Sequence, residues 1–238
     1  MNRNPTNQPA IILYERGAPY HPHLSPETNR LLSTPITQEE KFEFENRIKD
    51  NTSYPYIETN ISLNDNSFSF KAFLSDGRDY SYSKRGEQLR YSECRGEICV
   101  ILTQKNILAI GNSSIGWANI GLHNELHYKV KLGVRAGFVV SERNIYFYNL
   151  YSNIWEKIGL EQEVVHAVAN KNDLATIITS RRIIAINLSN GAMTEQTLTV
   201  RNVNRFEIKE NFINFFTGAE IYIYEANSEM FTQKDILN

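Results

Sequence analysis

Arg143-Asn144-Ile145-Tyr146-Phe147-Tyr148-Asn149-Leu150-Tyr151-Ser152-Asn153-Ile154-Trp155 is a hydrophobic run, a polar break and a lone tryptophan. The same arrangement recurs in weaker form at a step of 38 residues. That step links Ile107, Ile145, Ile183 and Ile221, and likewise Thr103, Ser141, Thr179 and Thr217. It also links Trp117, Trp155, Met193 and Phe231, and then Leu122, Leu160, Leu198 and Ile236. Four columns holding register over four units define a repeat architecture, because a period of about 20–50 residues is the signature of stacked supersecondary units.

Within a unit the apolar residues alternate at short range. Ile145 and Phe147 point one way, and Tyr146, Tyr148 and Leu150 the other. Both series are β-branched, aromatic or aliphatic, which suits strands packed on two sides. Asn112-Ser113-Ser114, Tyr151-Ser152-Asn153, Ser189-Asn190-Gly191 and Asn227-Ser228-Glu229 follow as breaks with turn chemistry. Around Trp155 four strands are expected, at 126–132, 136–141, 144–150 and 154–160, here called a, b, c and d. A four-stranded antiparallel unit of about 40 residues has the size of one β-propeller blade. The bulky column at Trp155 then lies on strand d and packs between blades.

The hairpin Ile145-Tyr146-Phe147-Tyr148-Asn149 to Asn153-Ile154-Trp155 resembles a kelch repeat, with a tyrosine, an amide and a tryptophan at similar spacing. Ile183-Ile184-Ala185-Ile186-Asn187-Leu188-Ser189-Asn190-Gly191 resembles the hairpin of quinoprotein-type propeller repeats. Ser141-Glu142 and Thr179-Ser180 stand where kelch units carry a glycine pair, and the Trp-Asp dipeptide of WD-type repeats is missing. The resemblance is to the propeller class and covers residues 52–238.

Residues 1–51 read as a separate segment. An extended arm holds Pro5, Pro9, Pro19, Pro22, Pro26 and Pro35, with one strand-like run, Ala10-Ile11-Ile12-Leu13-Tyr14. Thr37-Gln38-Glu39-Glu40 fits a capping box and predicts a short helix to about Lys49. Strand-like runs at 56–63, 67–74 and 78–84 match strands b, c and d of a first unit without a strand a. Four full units follow, at 86–123, 124–161, 162–199 and 200–238. The expected fold is all-β and propeller-like, with about five blades. The run at 10–15 could close the ring in place of the missing strand, which would remove exposed sheet edges. The alternative is an open array whose edges meet another chain, as a homo-oligomer.

The 238 residues are 41% hydrophobic and 22% charged, with a net charge of −2, the composition of an ordinary soluble globular protein. This balance gives no general attraction to nucleic acid or to acidic membrane. The longest apolar runs fall short of the ~18 residues of a membrane helix. Met1-Asn2-Arg3-Asn4-Pro5 has no apolar core of a secretory leader, so a cytoplasmic location is expected. Cys94 and Cys99 flank the a–b turn and are expected as two reduced thiols.

Chemistry motifs are weak. His123, Glu125 and His127 would share a strand face and could hold a metal, but a polar loop leading into a strand is the better reading. His21-Pro22-His23 lies in the arm. Glu93 and Glu207, with His127, His166 and Arg205, sit at channel depth on the innermost strands, where a propeller glycosidase needs a carboxylate pair. No metal or cofactor is expected. The b–c turns are more suggestive, because Lys105, Arg143 and Arg181 are 38 apart and Arg182 adds a fourth cation. They favour an anionic ligand or an acidic patch on a partner. The function expected is a non-catalytic protein-interaction module, using this basic face and the arm. A carbohydrate- or small-ligand-binding propeller is the alternative, although Leu122-His123-Asn124, Glu161-Gln162-Glu163 and Thr199-Val200-Arg201 do not repeat one another. A hydrolase is the third reading.

Overall fold

The computed structural model describes residues 55–62, 67–122, 125, 128–199 and 203–235. The arm, the expected helix and the run at 10–15 lie outside these residues. Nineteen strands are described, grouped in five sheets that follow the chain. The first is β1 (Tyr56–Ser62), β2 (Ser67–Phe73) and β3 (Asp79–Arg85). The second is β4 (Leu89–Arg95), β5 (Ile98–Thr103), β6 (Asn106–Gly111) and β7 (Ala118–Gly121). The third is β8 (Lys129–Leu132), β9 (Ala136–Val140), β10 (Asn144–Asn149) and β11 (Ile154–Gly159). The fourth is β12 (Val165–Lys171), β13 (Leu174–Thr179), β14 (Arg182–Asn187) and β15 (Met193–Thr197). The fifth is β16 (Arg205–Ile208), β17 (Phe212–Phe216), β18 (Glu220–Glu225) and β19 (Met230–Asp235). Each sheet is an antiparallel meander in chain order, so the fold is all-β and propeller-like, and the first sheet has three strands among the described residues.

The two-sided apolar strands are buried on both faces. Every residue of β5, β9, β10 and β13 is buried. Alternate residues serve alternate neighbours. Phe138, Val140, Ile145 and Phe147 pack onward against Ala175, Ile177, Ile184 and Ile186 of blade four. Val139, Tyr146 and Tyr148 pack back against Val100, Leu102, Ile107 and Ala109 of blade two. Ile178, Ile183 and Ala185 meet Ile213, Phe215, Tyr222 and Tyr224 of blade five. Blade one meets blade two through Phe68, Phe70 and Ala72, one residue out of step with the 38 spacing. The bulky column behaves as expected: Trp117, Trp155, Met193 and Phe231 each lie at the junction with the preceding blade. Trp155 tilts against Tyr148 at 5.3 Å and Phe231 against Tyr224 at 5.4 Å, so an aromatic pair recurs two units apart.

The c–d turns share a left-handed residue. Asn153, Gly191 and Glu229 occupy one column and have φ of 53°, 76° and 55°, a region open to glycine and tolerated by asparagine. One sequence expectation is corrected. Cys94 and Cys99 face each other across β4 and β5 and are joined in a disulfide, not held as two thiols. The hairpin turn between them brings their side chains to the same side of the ladder. Gly96 in that turn has φ +56°, and a Cβ there would sit 2.6 Å from the Val134 backbone. The a–b hairpins of blades two and three therefore approach too closely for a side chain.

Candidate functional site

Antiparallel strands place the b–c turns and d–a connections on one face, and the a–b and c–d turns on the other. The b–c turns share one construction. The hydroxyls of Thr103, Ser141, Thr179 and Thr217 each lie 2.8–3.1 Å from the carbonyl three residues on, and those of Thr179 and Thr217 donate to it. Each accepts the N–H of that same residue at 2.9–3.0 Å. This hydroxyl closes the turn from both sides in these four units. The carbonyls of Lys105, Arg143 and Arg181 accept the N–H of Leu122, Leu160 and Leu198 at 2.8–2.9 Å. Two of the repeated columns thus exist to hold this turn.

A carboxylate clips three of these turns from the d–a connection, and sequence reasoning missed it. Glu87, Glu125 and Glu163 are 38 apart. Glu87 is buried and accepts from the Thr103 hydroxyl at 2.7 Å and from Asn106 Nδ2 at 3.1 Å. Glu125 accepts from Ser141, from Asn144 Nδ2 and from the Tyr146 hydroxyl. Burial and this carboxylate both push the Tyr146 phenol well above its ordinary range. In the third clip arginine replaces asparagine: Arg182 Nε lies 3.1 Å from Glu163, and its terminal nitrogens reach Glu195 at 2.9 Å and the Gly159 carbonyl at 2.6 Å.

The four expected cations therefore divide. Lys105, Arg143 and Arg181 are exposed at the tips of the b–c turns. Arg182 is half-buried and committed to its clip. Glu220 stands in the corresponding place of blade five, where it accepts from Thr199, Tyr222 and Gln233, which lower its pKa.

The opposite face carries more structure. Glu97, Arg135 and Asp173 occupy one column on three successive a–b turns. Arg135 bridges its neighbours, with Nε 3.1 Å from Glu97 and a terminal nitrogen 2.7 Å from Asp173. The Tyr151 hydroxyl donates to Asp173 at 2.8 Å, and the Arg135 guanidinium lies over the Tyr151 ring at 5.7 Å. Beside this chain a polar cleft of about 470 Å³ opens between blades four and five, bordered by Asn172, Asn187, Ser189, Asn211 and Asn227.

The c–d hairpins of blades two and three are bolted together on the same face. Ser114 donates to Asn153 Oδ1 at 2.8 Å, and Asn153 Nδ2 donates to the Gly116 carbonyl at 3.2 Å. Tyr148 also donates to Asn153 at 2.8 Å, and burial raises the phenol to about 12. On this platform Ile115 is 86% exposed, Ile154 55% and Tyr151 45%. Ile115 gave no signal in the repeat, because its column continues as Asn153, Gly191 and Glu229, and the column of Ile154 holds only the smaller or unbranched Gly116, Ala192 and Met230.

The remaining candidates do not converge. His21, His23, His123 and His127 lie outside the described residues. Among the described residues no three His, Cys, Asp or Glu are grouped as metal ligands. Glu93 accepts from Tyr91 and Glu207 pairs with Arg205, each on its own strand. His166 lies half-buried on β12. Among the described residues no helix is long and apolar enough to cross a membrane.

No protein-family model matches the chain, and no curated protein is similar to it. Solved structures share its strand arrangement at low identity. The WD40 domain of Neurospora crassa Pan2 is 7% identical with a TM-score of 0.34, over 75% of this chain and 64% of that one. Kluyveromyces lactis Hsv2 is 10% identical with a TM-score of 0.36, over 74% and 62%. The N-terminal domain of Nup159 is 8% identical with a TM-score of 0.32, over 76% and 61%. The chain spans just under two thirds of the length of these structures. Likeness of this degree carries nothing about a site or a partner.

Proposed function

We propose that the chain is a non-catalytic interaction module that binds another protein. The observation that carries the reading is the bolted pair of c–d hairpins. Ile115, Tyr151 and Ile154 are exposed on a platform whose backbone is fixed by Ser114 and Asn153. Apolar anchors on a rigid support bind with little ordering penalty, and tyrosine is a favoured anchor type. Arg135 and Asp173 beside Tyr151 supply a polar border of both signs. Lys105, Arg143 and Arg181 form a second proposed contact on the opposite face, suited to an acidic stretch of the partner. A small polar ligand is the second reading, favoured by the cleft between blades four and five, where Arg135, Asp173 and Glu210 stand among the amides.

The test places a photo-crosslinking residue at 115 in the full chain, and at 143 in a second preparation, in extracts of the source cells. The captured protein is then purified and its affinity measured. Ile115→Asp and Ile154→Asp should each weaken binding about tenfold, or about 1.4 kcal/mol. Unchanged affinity in both variants would discard the hairpin platform. Weakening by Arg143→Glu alone would transfer the contact to the basic face.

A further inference from the structure

The second residue of each a–b turn forms one column, Glu97, Arg135, Asp173 and Asn211. Over blades two to four its charge alternates. The Arg135 guanidinium lies between two carboxylates of neighbouring turns, 3.1 Å from Glu97 and 2.7 Å from Asp173. Blade five breaks the series. Asn211 is neutral, and an acid, Glu210, stands one position earlier in the turn. A carboxylate therefore borders the cleft from each blade, Asp173 from the fourth and Glu210 from the fifth. Arg135 also borders it but is committed to Glu97 and Asp173. Lys171 and Lys209, which lead into the two turns, do not border it.

Successive gaps on this face are closed by different means. Between blades two and three the Gly96 turn meets the Val134 backbone with no room for a Cβ. Between blades three and four Tyr151 reaches across, with its hydroxyl on Asp173 at 2.8 Å and its ring under Arg135. Its equivalent 38 residues on is Ser189, whose hydroxyl turns back to Asn187 Oδ1 at 2.7 Å. Among the described residues no side chain bridges Asp173 to Glu210 or Asn211, and a cleft of about 470 Å³ is left. One water takes about 30 Å³, so the cleft has room for a side-chain-sized group with waters. Its acceptors are open. Donors reach only Oδ1 of Asp173, from Arg135 and Tyr151. Among the described residues the side chains of Asn172, Glu210, Asn211 and Asn227 make no hydrogen bond.

We propose, on the reading of this cleft as a ligand site, that it binds a guanidinium group between Asp173 and Glu210, as Arg135 is held between Glu97 and Asp173. A guanidinium is planar and carries five N–H donors in a fixed fork, so it meets carboxylates on two walls at once. An ammonium is a compact point charge and serves one wall better than two. The amide oxygens of Asn172, Asn211 and Asn227 can accept the remaining donors. Two carboxylates against one committed arginine leave the border net negative, which attracts a cation and gives a neutral molecule of the same shape no such advantage. The guanidinium belongs either to a free arginine-like molecule or to an arginine side chain of a protein seated on this face.

An amide-resolved magnetic resonance titration of the full chain with Nα-acetyl-L-arginine amide at low salt tests this. Saturable shifts are expected at Asn172, Asp173, Glu210 and Asn211, with a Kd of about 1 mM for a ligand of about fifteen heavy atoms. The corresponding citrulline amide keeps the shape without the charge and should bind about tenfold more weakly or worse. Glu210→Gln, at an exposed position, should weaken binding about threefold. Ser189→Tyr supplies the phenol of the preceding unit and should abolish binding while shifts elsewhere stay in place. Arginine-amide binding that Glu210→Gln leaves unchanged overturns the proposal. Equal binding of the citrulline amide also overturns it and leaves the cleft as a site for neutral polar ligands. If neither amide shifts these residues, the reading of the cleft as a ligand site falls with it. Free L-arginine separates the two sources. Binding about tenfold tighter than the capped amide assigns the site to a free molecule, and equal or weaker binding assigns it to a protein's arginine side chain.

Discussion

Asn153 concentrates several demands in one side chain. It sits in the left-handed region, accepts from two hydroxyls and donates across to blade two. Alanine there would lose about 1 kcal/mol of conformational tolerance and leave the buried Ser114 and Tyr148 hydroxyls, 3.1 Å apart, to share one bond in place of two to Asn153. Asn153→Ala should cost about 3 kcal/mol, read from the urea midpoint at unchanged slope. Asn153→Gly should recover roughly the backbone part alone. The sequence showed this position as a turn asparagine. That it faces a serine 39 residues earlier depends on how far one blade is rotated on the next, which no local pattern records.

At the scale of elements, the b–c turn was largely legible and its cations only half so. The Thr/Ser column and the leucine column are polar and apolar marks of one turn, and both were visible in register. Arg181 and Arg182 are adjacent and identical in type, yet one is exposed and the other clipped. The distinguishing signal lay in the columns: position 182 corresponds to Asn106 and Asn144, and position 163 to Glu87 and Glu125. In the fourth unit those columns hold Glu220 and Arg201, the reverse order of charge. Arg182→Ala should therefore destabilise by about 3 kcal/mol, because it strands a buried Glu163 carboxylate. Arg181→Ala should stay within about 0.5 kcal/mol. Glu163→Arg with Arg182→Glu should restore at least half of the loss in thermal melts. The disulfide was not legible, because facing cysteines look alike in sequence whether oxidised or reduced.

For the whole molecule, the 38-residue step was enough to count five sheets and to place the three described strands of the first. It could not say how deeply the last blade is buried, since Ile221 and Ile223 continue columns that are interior elsewhere and are half-buried here. Contacts run from each blade to its neighbour, as in other stacked-repeat arrays, so stability should be graded along the chain. Amide exchange should be slowest in β9, β10, β13 and β14, where both faces are covered. It should be faster in β3 and β19, whose residues are mostly exposed. Uniform protection across all five sheets would show instead that the ends are sealed in solution. The order of the described sheets also bears on synthesis. As each later blade is made it hides the apolar side of the one before and presents its own, so the adhesive surface moves along the array instead of accumulating.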